Sequence, residues 1–324
     1  MLQVSVIIPI FNVEKYIVKC IHTLMRQTMK EGIEFIFIND CTPDSSMKLL
    51  NDTLLLYPER ASQVIIVNNE RNLGIAETRK VGVRNASGLY CGWCDPDDWV
   101  ELDMFEKMWE SSSQGEKDII VCDCFEETNE GRRITSFIPA ATPHDVLANS
   151  WKHRYMPYGL TFQLFRRTLI LDSIEQLVST NQGEDTYLMR YVYFYAKSIS
   201  FVSKPLYHYN RMNVDSITHN PLLTQKEWNA HQQNIEKIDK ILCGDEYGRN
   251  KFRISMSSLK FNRKYQYRKC FKSMYDYYTK YAECYKDINE FQNVQSRRYR
   301  IKTYFMYNFY LLFWLFFYKE WKRN

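Results

Sequence analysis

LYCGWCDPDDW, residues 89–99, joins an apolar run of strand length to a turn with three carboxylates. Three earlier runs share its length and its β-branched or aromatic content: VSVII from Val4, EFIFI from Glu34 and QVIIV from Gln63. Helical patterns separate the runs, with Asn12 and Thr42 placed to cap the first two helices and Gly88 to end the third. This alternation predicts an α/β fold with a doubly wound, mainly parallel sheet flanked by helices.

The length of 324 residues allows a large hydrophobic core without cross-links. Hydrophobic residues at 45% and charged residues at 25% are typical of a soluble globular protein and exclude a disordered chain or a small disulfide scaffold. The nine cysteines are an odd number, and the opening MLQVSVIIPIF has no basic leader segment and no small-residue cleavage site. We therefore expect a reducing, cytoplasmic location.

Two cysteine pairs, Cys91/Cys94 and Cys122/Cys124, raise the alternative of a zinc site. Both pairs lie in runs with strand character, and a CxxC pair on a strand points its two sulfurs to opposite faces. We favour small buried side chains over zinc ligands.

Charge is unevenly distributed along the chain. From Arg249 onward, 18 lysines and arginines face 5 acidic residues, although the net charge of the whole chain is only +5. Near Pro221 the composition changes to helix-compatible stretches rich in Lys, Arg and Tyr. We predict a globular domain over 1–220 and a basic, aromatic helical tail over 221–324. Such a tail suggests an anionic partner, either nucleic acid or a phospholipid surface.

In doubly wound sheets, ligands bind beyond the carboxyl ends of the strands. The residues at the four predicted strand ends are Phe11 and Asn12, Asn39 and Asp40, Asn68 and Asn69, and Asp95 to Asp98. Two of these ends carry carboxylates, so the predicted crevice is acidic.

The segment CDPDDW, residues 94–99, has the residue types of a cation site. The turn at Pro96 lets the carboxylates of Asp95 and Asp97 converge, while Asp98 is free to cap the next helix. Mg²⁺ is usually held by one or two carboxylates plus substrate phosphates. A solvated turn is the alternative, and the place of the segment at a strand end favours Mn²⁺ or Mg²⁺.

The chain resembles glycosyltransferase family two, the inverting nucleotide-sugar transferases with the GT-A fold. The resemblance lies in this segment and in the runs VSVIIPIFNVEKYIVKCIHTLMRQT, EFIFINDCTPDSS and NLGIAETRKVGV. QLFRRTLI, NQGEDTYLMR and PLYHYNRMNVDSIT resemble the acceptor-side motifs of that family. The resemblance covers residues 3–218. It implies a nucleotide-binding half over 1–110 and an acceptor-side half over 111–220.

The resemblance also implies roles on the donor side. Pro9 and Phe11 would line the nucleotide base, Asp40 would bind the base or ribose, and Arg79 would brace the diphosphate. Asn39 stands where the family usually has Asp, which we expect to be tolerated because the next acid reads the base. For Arg79, a solvated helix face is the alternative.

The resemblance also implies the catalytic roles. Asp97, together with Asp95, would bind the metal, and Asp185 of GEDTYL would be the general base. An inverting transfer needs a carboxylate to take the proton from the acceptor hydroxyl. Glu184, the neighbour of Asp185, would raise its pKa. The alternative is that both acids only favour a helix N-terminus.

Three further candidates lie at the end of the predicted strand FVSKPLYHY or shortly after it. Arg211 and Ser216 would hold the leaving diphosphate. His208 is either a further metal ligand or, as we favour, a buried structural histidine.

The segment from Thr303 to Tyr318 has no charged residue, and ten of the eighteen residues from Ile301 to Tyr318 are aromatic. Sixteen helical residues span roughly 24 Å, which is short of the ~30 Å hydrocarbon core, so we expect no transmembrane span. Flanking basic residues favour a helix in an anionic membrane interface. A helix packed on the body, or an oligomer contact, is the alternative.

The favoured function is a metal-dependent hexosyltransferase, peripheral on the inner face of the cell membrane. It would move a sugar from a nucleotide diphosphate donor, a UDP-sugar, to a glycan or lipid-linked acceptor of surface polysaccharide. A nucleotidyltransferase would need a glycine-rich, lysine-containing loop that PIFNVEKY lacks. A nonenzymatic sugar- or nucleotide-binding module is the runner-up. Only the tail favours a nucleic-acid partner, and we expect the protein to bind no nucleic acid.

Overall fold

The computed structural model describes residues 2–181, 183–214, 216 and 224–266, with side chains up to residue 260. These residues form two compact units. The first contains residues 2–146 and the described residues from Arg154 to Ser216. The second contains Leu147–His153 and the described residues from 224 onward. The predicted tail segment at 301–318 lies outside the described residues.

The first half of the first unit repeats strand and helix as the sequence predicts. Its elements are β1 (Val4–Ile10), α1 (Ile17–Met25), β2 (Ile33–Asn39), α2 (Ser46–Leu54), β3 (Val64–Asn68), α3 (Ile75–Asn85) and β4 (Tyr90–Trp93). β1 pairs in parallel with both β2 and β4, and β2 pairs in parallel with β3. The carboxyl ends of these four strands therefore lie along one edge of the sheet.

Residues 99–210 extend the same sheet with mixed pairing. Its elements are β5 (Trp99–Val100), α4 (Met104–Ser111), β6 (Ile119–Thr128), β7 (Gly131–Thr135), α5 (Pro143–Ala148), β8 (Gln163–Arg166), α6 (Arg167–Ile174), α7 (Glu184–Tyr195) and β9 (Ile199–Asn210). The strand order is β3-β2-β1-β4-β8-β6-β9-β5, with β7 beside β6. β8 runs antiparallel to β4 and to β6, whereas β9 runs parallel to β6. The predicted mainly parallel sheet with flanking helices is confirmed.

The core lies where the helices pack on the central strands. Every residue of β1 is buried, and α1 buries one face, with Ile17, Cys20, Ile21 and Leu24. α3 approaches β1 closely at Gly82, where a Cβ would lie 2.4 Å from the Ile7 side chain. Only glycine allows this packing distance without displacing Ile7.

The predicted helix caps are wrong. α1 begins at Ile17, and Asn12 takes a positive φ of 54° in the preceding loop. Thr42 lies before α2, which begins at Ser46. The hydroxyl of Thr42 accepts a 2.9 Å hydrogen bond from the backbone N–H of Asn12. These polar residues join two loops at the carboxyl edge of the sheet and do not cap helices.

The second unit contains two helices, α8 (Gln225–Cys243) and α9 (Glu246–Gln266), which pack against each other. The side chain of Thr224 caps α8 by accepting a 3.2 Å hydrogen bond from the backbone N–H of Glu227. None of the helices in the described ranges has both the length and the apolar content needed to span a bilayer.

Candidate active site

Asp40 is buried after β2 and holds the loop between β3 and α3. Its carboxylate accepts hydrogen bonds from the backbone N–H groups of Leu73 (2.8 Å) and Gly74 (3.0 Å), and from the side-chain amide of Asn69 (2.8 Å). Gly74 has φ +82°, a conformation that favours glycine, and it immediately precedes α3. Asp40 therefore fixes the start of the helix that carries Arg79.

The turn of residues 95–98 is fastened to β9 through Asp98. Its side chain is buried and does not cap a helix, because it accepts hydrogen bonds from the Tyr207 hydroxyl (2.5 Å) and from the backbone N–H of Asn210 (2.7 Å). The Tyr207 hydroxyl also accepts a 3.2 Å hydrogen bond from the backbone N–H of Asp95. Burial, reinforced by Asp97 and Asp95, raises the pKa of Asp98 well above its usual range.

Asp97 lies beside Asp95 at the mouth of this turn. Burial and the charge of Asp95 raise the pKa of Asp97 to about 6, although a 2.7 Å hydrogen bond from the Asn213 amide opposes the shift. A cation would relieve this repulsion, so the donor set fits Mn²⁺ or Mg²⁺. Among the described residues, no three His, Cys, Asp or Glu side chains are grouped so that they could hold a metal by themselves. The two carboxylates would therefore need further oxygen ligands from a bound phosphate.

Arg79 connects the turn to α7. Its guanidinium forms one ion pair with Asp95 at 3.1 Å and a second, very short one with Glu184. The side chain of Arg79 is only 10% exposed, which excludes the solvated helix face considered from the sequence. Burial lowers the pKa of Arg79, but Glu184, Asp95 and Asp185 together outweigh burial and raise it. The guanidinium of Arg79 thus interacts with three acids. Its Nε has no hydrogen-bond partner among the described residues.

Glu184 and Asp185 form the first turn of α7, after Gly183 in a left-handed conformation with φ 72°. Burial raises the pKa of Glu184 to about 7 even against the charge of Arg79, and Asp185 adds to the increase. The carboxylate of Asp185 is partly exposed and accepts a 2.6 Å hydrogen bond from the backbone N–H of Thr186. Both acids are partly exposed, but only Glu184 forms an ion pair with Arg79.

His208 lies in β9 away from this acidic cluster. Its two ring nitrogens are 2.8 Å from carboxylate oxygens of Glu127 and Glu101. The ring is buried between Trp99 and Phe125, with centroid distances of 5.1 and 4.6 Å. This environment is that of the buried structural histidine favoured from the sequence.

Arg211 and Ser216 follow β9. The guanidinium of Arg211 is paired with Glu126 at 2.9 Å and is about half exposed. The backbone N–H of Ser216 donates a 3.4 Å hydrogen bond to the carbonyl of Asn213, whose amide bonds Asp97. Ser216 is thereby linked to the 95–98 turn through Asn213, while Arg211 is held on β6.

Pro9 and Phe11, the residues predicted to line the nucleotide base, lie at the end of β1 and directly after it. Pro9 is buried in the strand, and Phe11 is 41% exposed directly after it. Phe11 therefore presents an aromatic ring at the same edge as Asp40 and the 95–98 turn.

Sequence reasoning missed Tyr207 and Asn213, which hold the acidic turn. A signal was present for Tyr207, because strand alternation in PLYHYN places Tyr207 and Tyr209 on one face. The side-chain partners of these residues, more than 100 positions away, could not be found from local patterns.

The mostly parallel sheet, with its acidic turn after the fourth strand, is a GT-A type glycosyltransferase fold. Solved structures support this, since the fold matches residues 1–349 of S. aureus TarS in complex with UDP-GlcNAc. The TM-score is 0.63 at 16% identity, over 94% of this chain and 87% of that one.

Residues 5–173 match the family described as Glycosyl transferase family 2, and the chain belongs to that family. The uncharacterized glycosyltransferase EpsJ of Bacillus subtilis is 36% identical over 129 residues, which are 40% of this chain and 36% of EpsJ. The minor teichoic acid biosynthesis protein GgaB of the same organism is 26% identical over 239 residues, 70% of this chain and 25% of GgaB. The matches thus span only about a quarter to a third of these two relatives.

Proposed function

We propose that this protein is an inverting, metal-dependent glycosyltransferase that moves a sugar from a nucleotide diphosphate donor, with UDP as the nucleotide, to a glycan or lipid-linked acceptor. The observation that carries the proposal is the pairing of Arg79 with both Asp95 and Glu184. This pairing brings the diphosphate-side turn and the predicted catalytic motif of α7 into one acidic site.

Asp185 is the general base. It takes the proton from the acceptor hydroxyl as that oxygen attacks the anomeric carbon from the face opposite the departing diphosphate. Asp185 is partly exposed, and of the two neighbouring acids it is Glu184 that forms the ion pair with Arg79. Glu184 acts through its neighbour and does not itself take the proton.

Asp95 and Asp97 would hold Mn²⁺ or Mg²⁺, which supplies positive charge for the departing diphosphate. Tyr207 and Asn213 keep these carboxylates in place. The carboxylates of Asp95 and Asp97 repel each other. This conformation of the turn is therefore favourable with a bound cation and unfavourable without one.

The donor nucleotide would lie along the carboxyl ends of β1 and β2. Pro9 and Phe11 contact the base there, and Asp40 reads the base or ribose. Arg211 and Ser216 act on the diphosphate, which for Arg211 requires release from Glu126. The UDP donor is supported by the likeness to TarS, which was solved with UDP-GlcNAc.

The cellular setting is the inner face of the cell membrane, in surface polysaccharide synthesis. The name of GgaB, a teichoic acid biosynthesis protein, supports this setting. The basic, aromatic segment of residues 301–324 would bind anionic phospholipid, and no nucleic acid is involved.

A donor screen tests the proposal. Purified full-length protein is incubated with UDP-, GDP- and dTDP-sugars in Mn²⁺, Mg²⁺ or EDTA, and nucleotide diphosphate release is measured. We expect release from a UDP-sugar that requires the cation. Tight UDP binding with no release for any donor and acceptor mixture would favour the nonenzymatic binding module.

A further inference from the structure

A row of aromatic rings leads away from the acidic turn. It begins at Tyr207, whose hydroxyl contacts Asp98 and the backbone of Asp95. Phe162 packs against Tyr207 at a centroid distance of 5.2 Å and against Tyr209 at 6.3 Å. Tyr158 then packs against both Phe162 (5.0 Å) and Tyr209 (5.8 Å).

Burial decreases along this row. Tyr207 and Phe162 are buried, Tyr209 is partly exposed, and Tyr158 is 45% exposed. Since Tyr207 and Tyr209 are two residues apart on β9, one step along the row is about 6.6 Å. The outer rings lie near the turn, because Tyr207 and Asn210, on either side of Tyr209 in β9, both hydrogen-bond Asp98.

A polar group lies at the outer end of the row. The hydroxyl of Tyr158 donates a 3.0 Å hydrogen bond to Glu126, which also accepts hydrogen bonds from Thr135 (3.0 Å) and Arg211 (2.9 Å). These bonds fix the Tyr158 ring while leaving nearly half of it exposed. A partly exposed aromatic ring beside charged side chains suits a ligand with both an apolar face and hydroxyl groups.

We propose that Tyr158 and Tyr209 form a binding subsite for a pyranose ring of the acceptor. This inference rests on the proposed function, because it assigns the subsite to the acceptor and not to the donor. The C–H face of a pyranose packs on the exposed Tyr158 ring, and its hydroxyls reach Glu126. Tyr158 is thus a binding residue of the acceptor, outside the donor-binding edge at Phe11 and Asp40.

The test uses methyl β-D-glucopyranoside as a probe and ribitol as its acyclic counterpart, with binding followed by saturation-transfer NMR on the full chain. We expect transfer to the ring C–H protons of the glucoside and much less to ribitol. Tyr158→Ala weakens glucoside binding by at least about fivefold, because the stacking ring is removed. Tyr158→Phe, which keeps the ring and loses only the hydroxyl, retains binding.

Tyr195→Ala is the matched control, because Tyr195 is 46% exposed and lies at the other end of α7 from Glu184. Thermal unfolding verifies that each variant is folded. Equal binding by Tyr158→Ala and the native protein, equal transfer to ribitol, or no transfer to the glucoside would overturn the subsite.

Calorimetry with UDP and Mn²⁺ separates this inference from the proposed function. Saturating UDP should leave the glucoside bound, and displacement by UDP would place the glucoside at the donor edge and refute the acceptor assignment. If UDP does not bind while glucoside binding still depends on Tyr158, the proposed function fails and the saccharide site stands.

Discussion

The hydroxyl of Tyr207 donates a 2.5 Å hydrogen bond to the buried carboxylate of Asp98, which lies 109 residues earlier in the chain. The same oxygen accepts the backbone N–H of Asp95. Tyr207 therefore sets the conformation of the turn that carries Asp95 and Asp97, although it has no direct contact with a donor in our proposal.

Removing this hydroxyl should impair cation-dependent nucleotide binding. Tyr207→Phe leaves Asp98 with one hydrogen bond fewer and frees the backbone of Asp95, at a cost of about 1–3 kcal/mol in unfolding free energy. Tyr193→Phe is the control, since its buried hydroxyl bonds Gln163 at 2.5 Å on another part of the sheet. Both variants should lose stability in urea titrations, but only Tyr207→Phe should weaken UDP binding with Mn²⁺. Equal UDP affinity in the two would contradict the positioning role.

Asp97→Asn should remove most of the Mn²⁺-dependent affinity for UDP, because Asp97 is the favoured cation ligand. Asp103→Asn makes the same chemical change at a carboxylate that pairs with Lys107 and Lys204, and it should have no effect. Calorimetry with UDP at fixed Mn²⁺ compares the two. A cation-dependent affinity that survives in Asp97→Asn would reject Asp97 as a ligand.

The same substitution should change the pH dependence of stability. The pKa of Asp97 is raised to about 6 from 3.8, so the folded state binds the proton more tightly than the unfolded state. Stability without metal therefore falls as pH rises from about 4 to about 6, and the penalty is fully present above that range. In EDTA, Asp97→Asn should be more stable than the native protein at pH 7.5 and nearly equal to it at pH 4. A gain that is the same at both pH values would contradict the shift.

Arg79→Met should destabilise the protein strongly. Without the guanidinium, Glu184 and Asp95 lose their shared counter-charge, at a cost of about 3–5 kcal/mol. Arg84→Met on the same helix removes only an exposed pair with Glu175, worth about 1 kcal/mol or less. The pKa of Glu184 is already about 7, so the loss in Arg79→Met should be larger at pH 8 than at pH 5. Chemical unfolding at the two pH values measures this difference.

Asp185→Asn should lower turnover by roughly 10²- to 10⁴-fold with little change in donor affinity, because asparagine cannot accept the proton. Glu184→Gln should be milder, since Glu184 acts through its neighbour. Sugar transfer and UDP affinity are measured together for both variants. Normal transfer in Asp185→Asn with none in Glu184→Gln would move the base to Glu184.

Removing residues 301–324 should release the protein from anionic vesicles without changing UDP binding, because the segment combines basic and aromatic residues. Flotation with anionic and neutral vesicles compares the truncated and full chains. Equal flotation of the two chains would indicate a packing or oligomer role for the segment.

The N-terminal strands and the acidic edge could be predicted because each depends on local patterns. VSVII and EFIFI have the length and composition of buried strands, and the position of Asp95 after such a strand places it at the ligand-binding edge. The parallel direction of β1 to β4 then followed from their alternation with helices.

The rest depended on contacts between distant residues. Asp98 has the sequence context of a helix cap, and only the approach of β9 makes it a buried acceptor. The antiparallel β8 between β4 and β6 likewise leaves no signal in its own four residues. Local propensity could not indicate which of several nearby acids would meet Arg79.

The ion pair of Arg79 and Glu184 joins residues 105 positions apart, and this separation has a consequence for biosynthesis. At ribosomal rates of about 5–20 residues per second, Arg79 and Asp95 emerge roughly 5–20 seconds before α7 is complete. During that interval the parallel strands can pair, while the acidic turn remains hydrated. Once α7 and β9 have been synthesised they can exclude that water, so we expect the proposed active site to be the last part of the first unit to assemble on the nascent chain.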